Sequence, residues 1–164
     1  MNTEICIDSK LIHKALREMY AAVGDGSAYI EEFRAGTGYA PGSERYLDAW
    51  VIGCYPSSGL VKTAIEVKIS RSDFGREIKN PTKRDSALRI SNMFYFATPK
   101  GLVAEKELPD DCGLIEVDAQ TGKASITVEA PFRETGVPSW VFVASLARRA
   151  AKSSNGDSGA QTRR

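Results

Sequence analysis

The spacing of apolar residues along the chain predicts a mixture of helices and strands. Between positions 8 and 23, apolar residues recur every three or four positions, which is typical of a helix with one buried face. Within residues 60–70, Ile65, Val67 and Ile69 alternate with polar residues, which is typical of a strand. The predicted elements, in chain order, are a helix at Asp8–Val23, strands at Tyr29–Arg34, Arg45–Gly53 and Leu60–Ser70, a helix from a cap at Ser72 or Asp73 to Lys79, a helical segment at Thr82–Ile90, strands at Met93–Thr98, Gly113–Asp118 and Ala124–Val128, and a helix at Trp140–Lys152.

This order of elements predicts a single α/β domain with a central mixed β-sheet flanked by helices. A helical crossover joins the strand at Leu60–Ser70 to the strand at Met93–Thr98, so these two strands are expected to be parallel. We assign residues 1–152 to the domain. Residues 153–164 are almost all small or polar, and we expect them to form a disordered, polar and basic tail.

Composition excludes several classes of protein. The 164 residues are 42% hydrophobic and 26% charged, which is ordinary for a globular domain. No run of eighteen apolar residues occurs and the first residues lack the pattern of a signal peptide, so we expect no membrane partner. The three cysteines are widely spaced and there is one histidine, which argues against a disulfide framework and a structural zinc site. Together these features favour a cytoplasmic protein.

The hairpin formed by the second and third predicted strands brings charged side chains together. A hairpin centred on Ser57 pairs residues that lie equally far from it, so Asp48 faces Glu66. Directly opposed side chains have Cβ atoms roughly 4.5–5.5 Å apart. Lys68 is two residues from Glu66 and therefore points to the same side of the sheet. We expect these three residues to form one cluster.

The chemistry of this cluster indicates a metal-dependent hydrolase. Two carboxylates held this close raise the pKa of one of them, unless a cation lies between them. Mg²⁺ prefers a pair of carboxylates together with water and phosphate oxygens. Lys68 would then position or activate the attacking water, or neutralise charge on a phosphate. The alternative is a salt bridge between Glu66 and Lys68 on a solvated sheet face, with Asp48 incidental.

A basic segment follows this hairpin directly. Arg76, Lys79 and Lys83 are spaced by three and four residues, so they can share one helical face across the break at Pro81, with Arg71 nearby. Such a face would contact nucleic-acid phosphates without regard to base sequence. The alternative is a solvated helix in which these cations pair with neighbouring acids.

Several short motifs in order resemble the MmcB-like branch of the PD-(D/E)XK nuclease superfamily. The resemblance covers roughly residues 30–118, and its specificity comes from the order of the motifs. The motifs are Arg45-Tyr46-Leu47-Asp48, Ile65-Glu66-Val67-Lys68, Ser70-Arg71-Ser72-Asp73-Phe74, Glu77-Ile78-Lys79, Phe94-Tyr95-Phe96-Ala97-Thr98-Pro99, Leu108-Pro109 and Gly113-Leu114-Ile115.

The resemblance implies a restriction-endonuclease-like fold and a Mg²⁺-dependent deoxyribonuclease that acts in DNA repair or processing, with Mn²⁺ as a substitute metal. It assigns Asp48 and Glu66 as metal ligands and catalytic acids, and Lys68 as the catalytic lysine. The backbone carbonyl of Val67 joins the metal ligands. Leu47 stands where the superfamily motif has proline, a departure that many members share.

Further site residues follow from the same resemblance. An upstream acid often assists the metal, and Glu32 is favoured over Glu31 and Glu18. The family places basic residues next to the site, and the helical segment after the third predicted strand is basic in this sequence. The predicted DNA-contacting residues are Arg45, Arg71, Arg76, Lys79 and Lys83.

Two other functions compete with the nuclease. The first is a catalytically silent DNA-binding module of the same fold, and the second is an accessory protein-interaction domain. Retention of Asp48, Glu66 and Lys68 favours the enzyme, because two opposed acids would repel DNA in a mere binding module. The expected setting is a bacterial or phage-encoded protein with DNA as partner. A repair or phage partner protein and a homodimer are further expectations, and the form of the DNA substrate stays open.

Overall fold

Six strands form one mixed sheet whose spatial order follows the order along the chain. The structure, a computed structural model, describes residues 7–21, 26–35 and 46–157, and only the backbone of 153–157. The strands are β1 (Ser27–Arg34), β2 (Tyr46–Gly53), β3 (Lys62–Val67), β4 (Met93–Pro99), β5 (Gly113–Val117) and β6 (Ala124–Val128). The helices are α1 (Ser9–Ala21), α2 (Arg71–Ile78), α3 (Asp85–Arg89) and α4 (Trp140–Asp157).

The pairing of the strands confirms the predicted mixed α/β architecture. β1, β2 and β3 pair antiparallel, β3, β4 and β5 pair parallel, and β6 pairs antiparallel with β5. A parallel neighbour requires a crossover, because the chain must return to the same end of the sheet. The segment with α2 and α3 makes this crossover between β3 and β4, as the sequence predicts. A short 3-10 turn, Glu105–Glu107, lies between β4 and β5.

Each face of the sheet carries a buried apolar cluster. On one face, α1 places Ile12 and Leu16 against Ile65 of β3 and Ile115 of β5. The other face buries an aromatic cluster together with the side chains of α2 and α4. Its rings are those of Phe33, Trp50, Phe74, Phe94, Phe96 and Phe142. Because Ala64 and Ile65 belong to opposite clusters, β3 is covered on both sides and is held firmly in place.

The cap of α2 lies two or three residues before the predicted one. The cap is Ser70, whose Oγ accepts a hydrogen bond from the backbone N–H of Asp73 at 3.2 Å, rather than Ser72 or Asp73. Ser70 has extended backbone angles, so the helix begins at Arg71. At α1 the cap is Asp8, whose Oδ1 accepts a hydrogen bond from the backbone N–H of Leu11 at 2.8 Å.

The last helix is longer than predicted. α4 extends to Asp157, whereas the sequence predicts an end at Lys152, so residues 153–157 of the expected tail are helical. Residues 158–164 lie outside the described residues. Within the described ranges, no helix has both the length and the apolar character needed to cross a membrane.

Gly113 provides a test of how closely β4 and β5 pack. A Cβ at this position would lie 2.5 Å from Cε1 of Tyr95 and 2.6 Å from the backbone nitrogen of Ala130. We expect Gly113→Ala to lower the free energy of unfolding by about 1–3 kcal/mol, because neither neighbour has room to move away. Gly136→Ala is the matched control, since nothing lies within 4 Å of its added Cβ. Urea denaturation measures the free energy of unfolding of both variants. Equal values would contradict the close packing of Tyr95 and Ala130 around Gly113.

Candidate functional site

The β2–β3 hairpin has the register that the sequence predicts. Ala49 pairs with Ile65 and Trp50 pairs with Ala64, so the next pair outward is Asp48 with Glu66. At this position the regular ladder stops. Asp48 Oδ2 accepts a hydrogen bond from the backbone N–H of Val67 at 2.8 Å, so the carboxylate replaces a backbone partner. This bond fixes the Asp48 side chain beside β3.

Glu66 and Lys68 project together from the end of β3. Lys68 Nζ donates to Glu66 Oε1 at 2.7 Å, and both side chains are largely withdrawn from solvent. The predicted cluster of Asp48, Glu66 and Lys68 is therefore present. The short distance makes this a charge-assisted hydrogen bond, which is stronger than one between neutral groups.

The structure adds an acid that the sequence reasoning did not identify. Glu77 of α2 is buried at 7% exposure, and its Oε2 lies 3.4 Å from Lys68 Nζ and 3.8 Å from Lys83 Nζ. Lys68 thus lies between two carboxylates, those of Glu66 and Glu77. A signal for this residue exists in the sequence: Glu77 is three positions after Phe74, so both lie on the buried face of α2.

Burial and crowding of charge change the pKa values in this cluster. Burial, followed by the negative charge of Asp48, raises the pKa of Glu66 from 4.5 to about 7, although Lys68 opposes the shift. Burial acts to lower the pKa of Lys68, but the carboxylates of Glu66, Glu77 and Asp48 outweigh it, so this pKa is raised. Lys68 is therefore a firmly charged cation, which suits charge neutralisation better than proton abstraction.

Two adjoining clefts flank this cluster. The first, which we call the acidic cleft, has a volume of ≈ 360 Å³ and is lined by Asp48, Val67, Lys68 and Glu77. The second has a volume of ≈ 340 Å³ and contains Glu66. Glu77 and Lys83 line both clefts, so the carboxylates form the boundary between them.

Of the three candidate upstream acids, only Glu32 lines the acidic cleft. Glu31 pairs with Ala49 and Phe33 pairs with Leu47, so Glu32 lies level with Asp48 in the adjacent strand. Its φ is 47°, a left-handed conformation that is rare for a non-glycine residue inside a strand. Glu31 and Glu18 are engaged by α1 instead, in ion pairs with Arg17 and Lys14.

Of the four predicted DNA-contacting residues that the structure describes, two line the acidic cleft. These are Arg76, which forms an ion pair with Asp73, and Lys83. Lys79 follows α2 directly with helical backbone angles; it is exposed and lines neither cleft, so its contact with DNA stays a prediction.

Arg71 and Arg45 are the remaining two predicted DNA-contacting residues. The guanidinium of Arg71 donates to both carboxylate oxygens of Glu107 at 2.7 Å and to the carbonyl of Leu102 at 2.9 Å. Arg71 therefore ties the start of α2 to the β4–β5 connection, and it lines neither of the two clefts. Arg45 lies outside the described residues.

The donor atoms suit a hard divalent cation. Asp48 and Glu66 offer carboxylate oxygens from adjacent strands. The Val67 N–H points to Asp48, and because the N–H and C=O of one strand residue point to the same edge, its carbonyl faces β2 as well. Among the described residues no group of three or more acidic, histidine or cysteine side chains is arranged as a ready-made metal site. An oxygen set of two carboxylates and one carbonyl matches Mg²⁺, which retains several waters.

Comparison with known proteins supports the fold. No family model matches the chain, and no curated protein does. A solved structure of a protein of unknown function from Silicibacter pomeroyi is similar, with a TM-score of 0.64 and 20% sequence identity. The match covers 100% of this chain and 98% of that chain. At this identity the similarity shows a shared single-domain α/β fold and nothing about activity.

The raised pKa of Glu66 predicts a pH dependence of stability in metal-free protein. Because this pKa rises from 4.5 to about 7 on folding, the folded state holds more protons than the unfolded state between those values. Stability from this group is therefore lost as pH rises from about 5 to 8. We expect Glu66→Gln to flatten that decline in melting temperature, measured in EDTA.

The exposed Glu105 supplies the control for this measurement. Glu105→Gln removes the same charge away from both clefts and is expected to keep the pH dependence of the wild type. Parallel curves for Glu66→Gln and the wild type would show that the Glu66 carboxyl is not perturbed by folding.

Proposed function

We propose that this chain is a metal-dependent DNA nuclease with a restriction-endonuclease-like PD-(D/E)XK core. The observation that carries the proposal is the meeting of Asp48, Glu66 and Lys68 at the ends of two paired strands, at the boundary of two clefts. A helical crossover to a parallel strand follows these residues directly. The order of elements around the acids therefore agrees with the motifs that resemble this superfamily.

In this proposal Asp48, Glu66 and the carbonyl of Val67 hold Mg²⁺ or Mn²⁺. The bound cation supplies a Lewis acid for the phosphate and lets water act as a nucleophile near neutral pH. The Val67 N–H orients Asp48 by its hydrogen bond, so one ligand is preorganised before the metal arrives. The pKa of Glu66 is raised first by burial and then by the charge of Asp48, and a cation held here would offset both effects.

Lys68 acts as a fixed positive charge beside the scissile phosphate. Its ammonium group contacts Glu66 and lies 3.4 Å from Glu77. If Glu66 held a metal, Glu77 would still hold the ammonium of Lys68 in the acidic cleft. Lys68 then neutralises negative charge that develops on the phosphate, because its raised pKa keeps it protonated.

Contacts to the DNA backbone come from the α2 side of the acidic cleft. Arg76 and Lys83 both line it, and both remain substantially exposed. Phosphate contacts of this kind position the DNA without reading its sequence, which suits an enzyme of DNA repair or processing.

A DNA-binding module without catalysis is the second candidate. It is favoured by the direct pairing of Glu66 with Lys68, which gives the charge of Glu66 a partner without a metal. A cleavage assay separates the two candidates, because the binding module would retain DNA affinity and give no metal-dependent products.

The first test is DNA cleavage in Mg²⁺, Mn²⁺ or EDTA by the wild type and three variants. We expect Asp48→Asn, Glu66→Gln and Lys68→Met each to lower the rate at least about 100-fold. Asp48→Asn is especially informative, because the amide oxygen still accepts from the Val67 N–H and preserves the local fold. Glu105→Gln, at an exposed position outside both clefts, is expected to cut at the wild-type rate.

The nuclease proposal fails if folded wild-type protein cuts none of duplex, nicked, flapped and single-stranded DNA with either metal. It also fails if cutting persists in EDTA, or if all three variants cut as fast as the wild type.

A second prediction concerns Glu32, whose left-handed backbone is unfavourable for a residue with a Cβ. The strain costs about 1–2 kcal/mol, so we expect Glu32→Gly to be more stable than Glu32→Ala by about that amount. Both variants lose the carboxylate and should cut DNA more slowly. Urea denaturation and initial cleavage rates measure the two effects. Equal cleavage by both variants and the wild type would remove Glu32 from the site.

A further inference from the structure

A third groove lies between the end of α4 and the first two strands. Its volume is ≈ 150 Å³, and none of its cationic residues belongs to the predicted DNA-contacting set. We call it the α4 groove and define it by Glu32, Arg34, Tyr46, Arg148, Arg149 and Lys152.

The lining of the α4 groove is strongly positive, with four cations and one acid. Arg148 and Lys152 are four residues apart on α4 and therefore project from the same side of the helix. Two like charges in this arrangement destabilise a helix, so an anion in the groove would relieve a repulsion already present. Arg149 fixes the position of the groove, because its Nε donates to the backbone carbonyl of Glu31 at 2.8 Å.

The α4 groove is continuous with the candidate active site. Glu32 lines both the α4 groove and the acidic cleft, and Tyr46 lines both the α4 groove and the cleft that contains Glu66. Arg76 and Lys83 line the acidic cleft, and Lys83 also lines the cleft that contains Glu66. Positive charge is therefore present in the clefts beside the carboxylates as well as in the α4 groove that adjoins them.

An exposed aromatic ring lies where the grooves meet. Tyr46 is 65% exposed although it belongs to a strand of the central sheet. Proteins that bind single-stranded nucleic acid combine a positive groove for the backbone with aromatic rings on which bases stack. A stacked base must be unpaired, so this combination favours a single strand over an intact duplex.

We propose that the α4 groove binds the sugar-phosphate backbone of single-stranded DNA, with an unpaired base stacked on Tyr46. This inference rests on the proposed nuclease function and specifies its substrate: DNA with a single-stranded arm that leads from the carboxylates to α4. Arg148 and Lys152 bind its phosphates, while Arg76 and Lys83 contact the DNA at the acidic cleft.

The test measures binding of a fluorescent single-stranded oligonucleotide by anisotropy, in EDTA to prevent metal-dependent cutting. We expect the double variant Arg148→Ala with Lys152→Ala to bind more than about tenfold more weakly at 0.1 M salt. Its plot of log affinity against log salt should be shallower by about 1.4, because each phosphate contact to a single strand contributes about 0.7. The matched control is Lys106→Ala with Lys123→Ala, two exposed lysines outside the groove, which should behave as the wild type.

Tyr46 supplies a second, independent variant. We expect Tyr46→Leu to weaken single-strand binding about fivefold or more and Tyr46→Phe to retain it, because only the ring is needed for stacking. Neither change should alter the weaker binding of a blunt duplex, which has no unpaired base to offer.

The outcomes separate this inference from the nuclease proposal. If the wild type cuts DNA but the Arg148/Lys152 variant binds single strands as the control does, the α4 groove assignment is wrong and the nuclease proposal stands. The α4 groove assignment is also wrong if the wild type binds a single strand and a duplex with equal affinity and Tyr46→Leu leaves both affinities unchanged. If the wild type neither binds nor cuts any DNA, both proposals fall.

Discussion

The antiparallel register of β2 and β3 is the constraint on which the candidate site depends. Ala49 and Ile65 are opposite each other and completely buried against the α1 side of the sheet. A slip of one residue would exchange these side chains with those packed in the aromatic cluster on the other face, such as Trp50, so the packing of both faces fixes the register. The same register sets Asp48 beside Glu66. The position of the acids is therefore a consequence of the hydrophobic core behind them.

The charges at this position are nearly balanced within the protein itself. With the carboxyls of Asp48, Glu66 and Glu77 ionised and Lys68 and Lys83 protonated, the cluster carries one net negative charge. Removing carboxylates from water is costly, and the ammonium of Lys68 offsets only part of that cost at Glu66, whose pKa stays raised. A divalent cation would offset the rest, which links the electrostatics of the fold to the proposed chemistry.

The sequence predicts the sheet and its central hairpin because these depend on local signals: alternation along each strand and a turn at Ser57. Its spacing from Phe74 signals that Glu77 lies on the buried face of α2, but the sequence does not show that Glu77 meets Lys68, because that depends on how the helix docks on the sheet. The left-handed backbone of Glu32 is likewise invisible to pattern analysis, because nothing in a run of two glutamates signals it.

The most direct test of the account is a crystal structure of the wild type grown with Mn²⁺, with the metal located by its anomalous scattering. The account predicts one strong peak at direct-ligand distance from carboxylate oxygens of both Asp48 and Glu66, facing the Val67 carbonyl. It also predicts that Lys68 moves away from Glu66 while it remains beside Glu77. The central claim would be contradicted if crystals grown at saturating Mn²⁺ showed no anomalous peak between the two carboxylates and kept the hydrogen bond from Lys68 to Glu66.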